Sequence, residues 1–378
     1  MTTRTGLVVA ALAGYAGFVS AGCYQRVAAT GDAGNGSSGG SGDGGAPLDT
    51  PLLMGSSCFG DPSLFTTCAN VTPGVLEIAG TLDTTNCKTP EVAGEILHNT
   101  GSNTAAACVF AADSLTLTGV VATGSLPLVL YGTSRLEISG LSASSGSNRV
   151  GPGADTDQVA CLDSTIAGNG GGAGGSHATL GGPGGQGAGK GGSAQTVTGS
   201  GLVTGCNGQP PGVELTQGVL PGGIVYAVSG GMLTGTGVID ANGQGGRGGA
   251  TSAGAFGGGA GGLVALSAMD YQLGSMEICA IGGGGGGGGT ASGPGSAAID
   301  PPNMSVPTAA PGGNGGPGGG GASGGPGASS DNAAGGGGGP GSGTNGGGGG
   351  GGGLGHILVL HGSANPEISQ PTAEHPTN

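Results

Sequence analysis

The residues of this chain best suited to covalent chemistry are its eight cysteines, and their spacing favours disulfides over metal binding. No Cys-x-x-Cys pair or cysteine–histidine pattern has the spacing of a zinc site, so we predict no metal site. Cysteines scattered through an exported chain are typical of disulfides, although sequence leaves their pairing open. Seven are candidates for bridges: Cys58, Cys68, Cys87, Cys108, Cys161, Cys206 and Cys279. The first four cluster and could form two bridges, and the odd total predicts one thiol that is free or paired between molecules.

The acidic residues are dispersed, which argues against an enzyme. Cleavage of a glycosidic bond requires a pair of carboxyl groups beside that bond. Glu77, Glu137 and Glu277 are candidates by position, but each stands alone on its predicted strand and is expected to face solvent. We expect the same of the histidines, which are His98, His177, His356, His361 and His375. Gly-x-Gly-x-x-Gly matches are frequent here, but none leads from a strand into a helix. We therefore predict no catalytic residue and no cofactor.

The amino terminus has the pattern of an export signal over residues 1–22. Arg4 supplies a positive start, and the apolar stretch that follows is too short to span a membrane. The sequence Ala-Gly-Cys ending at Cys23 resembles the lipobox of bacterial lipoproteins, with Ser20 where those proteins usually have leucine. This resemblance implies a lipid anchor at Cys23, and the alternative is ordinary signal cleavage near Ala29. Residues 23–46 are rich in glycine and serine and are expected to form a flexible tether.

The composition predicts a structure held together by its backbone. The chain has 101 glycines and 22 prolines among 378 residues, but only 7% charged and 3% aromatic residues. So few large side chains leave little apolar area for a conventional core. The net charge of −14 excludes nucleic acid and anionic membrane surfaces as partners, because both attract basic clusters. An acidic balance is typical of a soluble protein of the cell exterior.

Short strands separated by turns are predicted over residues 47–150, the first β domain. Leu115 and Leu117 alternate with polar residues, which indicates one buried face. Residues 128–131 are an unbroken apolar run, which suits a strand covered on both sides. No segment has the 3.6-residue apolar period of a helix.

A longer repeat follows in the second predicted domain, residues 151–362. A unit of strand, turn, strand and glycine run starts at residue 223 and again at residue 262, which is 39 residues later. A fixed period of this size favours a right-handed parallel β-helix or a similar β-solenoid. For the first β domain, residues 47–150, a small β-sandwich is the alternative. Residues 363–378 are expected to be a polar tail.

Three glycine arms, at about 167–208, 242–262 and 282–353, are inserted between these strands. An extended chain with three residues per turn forms no internal hydrogen bonds, so its N–H and C=O groups are free to pair with neighbouring chains. Only glycine lets backbones approach that closely. We therefore predict that the arms pack as polyglycine II. The alternative is a β domain with disordered glycine loops.

The glycine-rich stretches also resemble a known group. Residues 237–243, Gly-Val-Ile-Asp-Ala-Asn-Gly, and the eight glycines at 346–353 that lead into the last strand resemble glycine-rich exported envelope proteins of myxobacterial type. The Gly-Gly-X stretches resemble the PGRS region of PE-PGRS proteins, although no amino-terminal PE helical pair is present. The resemblance implies a cell-surface location and polyglycine-II packing, without a defined activity.

These observations together predict a non-enzymatic cell-envelope surface protein with a structural or adhesive role. We expect it at the outer membrane as a lipoprotein anchored through Cys23, or alternatively secreted. Its expected partners are the membrane, through the lipid, and a cell-surface component or polysaccharide. The alternative function is that of a carbohydrate-active or carbohydrate-binding β-helix protein.

Overall fold

The computed structural model describes residues 23–25, 57–100, 106–154, 166–195, 201–212, 218–301, 309–329 and 334–361. Regular structure in this part of the chain consists of strands without a helix, so the predicted all-β class is confirmed. No helix capable of crossing a membrane is found within these ranges. The signal, most of the tether, Cys161 and the polar tail lie outside the described residues.

Eleven strands are described, and nine of them form one sheet. In chain order they are β1 (Cys23–Gln25), β2 (Ser57–Asp61), β3 (Phe65–Ala69), β4 (Thr72–Asp83), β5 (Glu95–His98), β6 (Ala106–Thr123), β7 (Leu128–Ser142), β8 (Ile224–Asp240), β9 (Leu263–Gln272), β10 (Glu277–Cys279) and β11 (His356–His361). Strands β4, β6, β7, β8, β9 and β11 pair in parallel in that order. β10 also pairs in parallel with β8. β5 runs antiparallel to β6, and β1 runs antiparallel to β10. β2 and β3 form a separate antiparallel hairpin.

The long parallel strands bend along their length. β6 and β7 are joined by residues 124–127 alone, yet Leu128 pairs with Cys108, which lies 20 residues earlier. β6 has 18 residues, and a straight strand of that length would measure about 59 Å. Four residues reach at most about 14 Å and could not return the chain to the start of a straight strand. The chain therefore turns back upon itself between β6 and β7.

Glycines in the left-handed region mark one of these bends. Gly119, Gly140 and Gly237 have φ angles of 56°, 89° and 76° and lie on successive strands. They are neighbours in space, because a Cβ built on Gly140 would lie 3.7 Å from Gly119 and one on Gly237 would lie 3.5 Å from Gly140. Residues with a Cβ adopt this conformation only rarely. The stacked glycines therefore turn β6, β7 and β8 at the same level.

The main apolar core lies on the inner side of these bends. Leu115, Leu117, Leu136 and Ile138 are fully buried there, which confirms the buried face predicted from the alternation of Leu115 and Leu117. Residues 128–131 are buried on both faces, as the apolar run predicted. Both faces of the first segment of β7 are therefore covered.

The β2–β3 hairpin covers the outer side of that first segment. Phe59 of the hairpin stacks on Tyr131 of β7, with ring centroids 4.0 Å apart. The hairpin itself is closed by a disulfide between Cys58 and Cys68. A second disulfide, Cys87–Cys108, joins the loop after β4 to β6. The two bridges expected among the first four cysteines are thus confirmed.

The glycine arms continue directly from the sheet. β8 leads into residues 242–250 and β10 into 281–290, while the arms at 253–262 and 346–355 lead into β9 and β11. Backbone pairing also continues past the strand ends, since Gly243 N–H donates to Ile281 O. Each of these arms therefore has one end held by the sheet. We call the assembly of arms the glycine bundle.

The arm at 346–353 is enclosed by six other segments. The N–H groups of Gly346, Gly349 and Gly352 donate to the carbonyls of residues 289, 286 and 283, at every third residue. Its other N–H groups donate to segments 169–175 and 336–339, and its carbonyls accept from segments 182–185, 255–261 and 325–328. This repeat is that of an extended helix with three residues per turn. The arm at 282–289 is enclosed in the same way.

Candidate binding surface

The number of neighbours around an arm determines where it can carry side chains. A Cβ built on Gly349 would lie 1.9 Å from Phe256 O, and one on Gly286 would lie 2.0 Å from Arg247 O. Atoms do not approach so closely, so the two enclosed arms are glycine throughout. An arm at the bundle surface has one position in three directed away from its neighbours. A side chain is accommodated there.

Three surface arms lie side by side and form a flat layer: 309–317, 321–329 and 334–341. The middle arm is joined to both others, because Gly324 N–H donates to Gly313 O and Gly339 N–H donates to Ser323 O. Behind this layer lie the two enclosed arms, which exchange hydrogen bonds with it. One side of the layer is therefore buried on the bundle and the other is open.

The open side of this layer, which we call the outer face, is regular and uncharged. Its exposed positions are Pro311, Asn314, Pro317, Ser323, Pro326, Ala334, Gly337 and Pro340. Along each arm they recur at every third residue, a repeat of about 9.3 Å. None of the described residues of the three arms is charged. Because the backbone is already ordered and no charge must be desolvated, this face can bind a flat uncharged partner at low cost.

Two histidines meet where the bundle joins β11, so the expectation that both face solvent is wrong. The rings of His177 and His356 lie edge to face with centroids 4.6 Å apart. His177 Nδ1 lies 2.9 Å from Gly261 O, and since a carbonyl only accepts, Nδ1 carries the proton. Burial, and then the nearby His356, lower the pKa of His177 to about 3. Burial also lowers the pKa of His356.

The remaining histidines do not join this pair. His98 is exposed, as expected. The expectations for His361 and His375 fall outside what the structure describes. The two rings at the junction therefore form a packing contact between bundle and sheet, and both are neutral at neutral pH.

A buried polar cluster joins the sheet to the bundle, and sequence analysis missed it. Asp240 Oδ1 accepts hydrogen bonds from the hydroxyls of Ser142 and Ser144, at 2.6 and 2.7 Å. Asn242 N–H donates to Ser144 Oγ, and Asn242 Oδ1 accepts from Ile281 N–H at 2.9 Å. The bonds link β7, β8 and the arm after β10. The only sequence signal was the Asp-Ala-Asn pattern at residues 240–242, where β8 ends.

The three candidate carboxylates are not brought together. Glu77 and Glu137 share a ladder position on either side of Thr116, so their backbones lie two strand spacings apart, about 9.6 Å. Glu77 is exposed and Glu137 partly so, as expected. Glu277 pairs instead with Val238 and is buried, which corrects the expectation that it faces solvent. Burial raises the pKa of Glu277.

A cavity of about 310 Å³ lies between the loop after β3 and strands β5 and β6. Its one acidic lining residue is Glu95, whose Oε1 accepts a hydrogen bond from Asn70 Nδ2 at 2.6 Å. Within the described ranges, no three histidine, cysteine or acidic residues are grouped as metal ligands would be. The cavity therefore offers no acid pair, and the outer face is the stronger candidate site.

Comparison of this chain with protein-family models, with curated proteins and with solved structures finds no match in any of the three. The likeness to glycine-rich envelope proteins therefore remains one of composition and pattern.

Proposed function

We propose that this protein is a non-enzymatic structural or adhesive component of the cell exterior, and that the outer face is its contact surface. The observation that carries the proposal is the flat array of uncharged exposed positions on three hydrogen-bonded arms. The two disulfides indicate an oxidising environment, as found outside the cytoplasm. The partner is an uncharged cell-surface component or polysaccharide, since a chain with a net charge of −14 repels nucleic acid.

In this proposal the bent parallel strands are coils of a right-handed β-helix, and the arms pack as polyglycine II. The 20-residue offset between paired residues of β6 and β7 supports the coil. The hydrogen bonds from one arm to six neighbours at every third residue support the arm packing. The coil holds the ends of the arms, and the arms present the outer face. In the lipoprotein form of the proposal Cys23 carries an anchor in the outer membrane, and in the alternative form the protein is secreted.

Adding charge to the outer face is expected to abolish binding without unfolding the protein. In the double variant Asn314→Lys with Ser323→Lys, two exposed positions of the face gain ammonium groups that a flat uncharged partner would have to desolvate. We expect at least about tenfold weaker retention on insoluble cellulose, chitin or isolated cell envelopes in a sedimentation assay. The circular dichroism spectrum and melting temperature should be unchanged.

The matched control places the same charge elsewhere on the bundle. Ala250→Lys with Thr251→Lys adds two lysines to exposed positions at the turn between arms 242–250 and 253–262, away from the three arms of the outer face. This variant should bind like the wild type. Equal losses in both double variants, or no loss in the outer-face variant, would contradict the assignment of this surface.

A carbohydrate-active protein remains the second candidate, and one observation favours it. The roughly 9.6 Å between the backbones of Glu77 and Glu137 is near the carboxyl separation of inverting glycosidases. Both residues are accessible, however, and Glu137 pairs with Arg135 at 2.9 Å on the surface. Neither lines the cavity near β5. The cavity near β5 therefore does not provide a sugar-binding cleft for this acid pair.

We expect the purified protein to release no reducing sugar from a panel of polysaccharides. Turnover would overturn the non-enzymatic proposal. If turnover were found, Glu77→Gln and Glu137→Gln would each have to reduce it by about a hundredfold or more for this acid pair to be responsible. Glu277→Gln is the matched control, because Glu277 lies off the ladder position of the other two acids.

A further inference from the structure

The disulfides of the cysteines in the second half of the chain restrict whether Cys23 can carry a lipid. Cys206 and Cys279 each take part in a disulfide, and no described cysteine is free. Four of the eight cysteines are already used in the bridges Cys58–Cys68 and Cys87–Cys108. Cys206 and Cys279 therefore pair either with each other or with the two cysteines that remain in the sequence, Cys23 and Cys161.

A bridge between Cys206 and Cys279 is excluded by the arm at 253–262, which runs between them. On one side of this arm, Ala260 N–H donates to Cys206 O. On the opposite side it contacts the arm that follows Cys279, since Gly283 N–H donates to Gly259 O and a Cβ on Gly261 would lie 2.0 Å from Ala280 O. The backbones at Cys206 and Cys279 are therefore two chain spacings apart, which is about 9.6 Å. A disulfide requires the two Cα atoms to lie within about 7 Å of each other.

It follows that one of the two bridges contains Cys23 whichever way the pairs are drawn. The backbone register identifies which one. β1 runs antiparallel to β10, and Cys23 lies directly opposite Cys279 in that pair. Directly opposed residues of antiparallel strands have Cβ atoms about 4.5–5.5 Å apart, from which a small adjustment brings two cysteines to bonding distance. Cys279 is fully buried, so its partner must come from an adjoining strand.

We propose that Cys23 and Cys279 form a disulfide, which leaves Cys206 to Cys161. Both thiols lose their protons, one S–S bond forms, and the two electrons pass to the disulfide of a thiol–disulfide oxidoreductase in the exporting compartment. This sulfur is then unavailable for a thioether to lipid. The proposal therefore excludes the lipid-anchored form and requires that any signal cleavage occur before Cys23 rather than near Ala29. It also makes β1 a covalently fixed edge strand of the sheet. It does not depend on what the outer face binds.

The arrangement of basic residues makes the test direct. Tryptic cleavage after Arg26, Arg149, Lys190 and Arg247 places Cys23, Cys161, Cys206 and Cys279 on four different peptides. The full-length protein, exported by a bacterial host, is denatured without reductant, alkylated, digested and analysed by mass spectrometry. We expect the peptide ending at Arg26 to be joined to peptide 248–378. A diacylglyceryl group on Cys23, a mature terminus beyond Cys23, or a link between peptides 150–190 and 248–378 would each overturn the proposal.

Single replacements provide a second readout that does not require the linked peptide to be isolated. In Cys23→Ser, alkylation of denatured, unreduced protein should rise from near zero to about one label per chain, located at Cys279. The matched control Cys161→Ser should place its one label at Cys206. A label at Cys206 in the Cys23→Ser protein would contradict the pairing.

Discussion

Replacing the enclosed Gly349 by alanine is expected to disrupt the glycine bundle far more than adding a methyl group at the surface of the bundle. Its Cβ would lie 1.9 Å from the carbonyl oxygen of Phe256 and 2.5 Å from the carbonyl carbon, and both are backbone atoms that cannot rotate away. The arms must separate, which weakens the bonds from Gly349 N–H to Gly286 O and from Gly325 N–H to Gly349 O. Overpacking of about 1–3 kcal/mol and about 1 kcal/mol for each lateral bond suggest a loss of about 3–5 kcal/mol in the free energy of unfolding.

The measurement is chemical denaturation followed by circular dichroism, together with amide exchange over residues 282–289 and 346–353. Gly337→Ala is the matched control, because Gly337 is exposed and its added Cβ would lie 3.4 Å from the nearest atom, Pro183 Cγ. This control should change the free energy of unfolding by less than about 0.5 kcal/mol. Equal effects of the two substitutions, or wild-type amides that exchange as fast as those of a free peptide, would contradict the enclosed position of the arm.

The contrast between Gly349 and Gly337 also shows that the sequence predicts whether an arm is enclosed or has an open side. Eight glycines in a row at 346–353 exclude any role for side chains and therefore indicate contact between backbones. An arm such as 309–317, with a larger residue at every third position, indicates one open side. Which arms are neighbours cannot be predicted from the sequence in this way. Glycine has no side chain to distinguish one partner from another, so the order of arms depends on where each leaves the sheet.

The parts of the site that sequence analysis missed depend on contacts between distant residues. His177 and His356 are 179 residues apart, and neither lies in a pattern that predicts a partner. The hydrogen bonds of Asp240 were not predictable, because the serines that donate to it lie at and just after the end of β7, 98 and 96 residues earlier. The alternation of Leu115 and Leu117 was readable because a period of two depends only on neighbouring residues. Local patterns therefore predicted the strands, whereas the junction between sheet and bundle required the fold.

That junction leads to the second large effect, a loss of stability in mild acid. The pKa of His177 is about 3 in the folded protein, well below the value near 6.5 expected in the unfolded chain. The unfolded chain therefore binds a proton first, so stability is complete above about pH 6.5 and is lost as the pH falls toward 3. At pH 5 the loss from this residue alone is about 2 kcal/mol. The pKa of His356 is shifted in the same direction and adds to the loss, whereas the raised pKa of Glu277 acts in the opposite direction.

The substitution that tests this is His177→Gln, which removes the titrating group and keeps an N–H donor for Gly261 O. The free energy of unfolding, measured with urea at pH 7.5, 6 and 5, should fall by about 2 kcal/mol or more in the wild type and by clearly less in the variant. His98→Gln is the matched control, because His98 is an exposed histidine outside the junction. If His177→Gln kept the full slope instead, the acid sensitivity would arise elsewhere in the chain. Ordinary carboxylates titrate near pH 4, so a slope between pH 6.5 and 5 that disappears in this variant alone assigns the effect to His177.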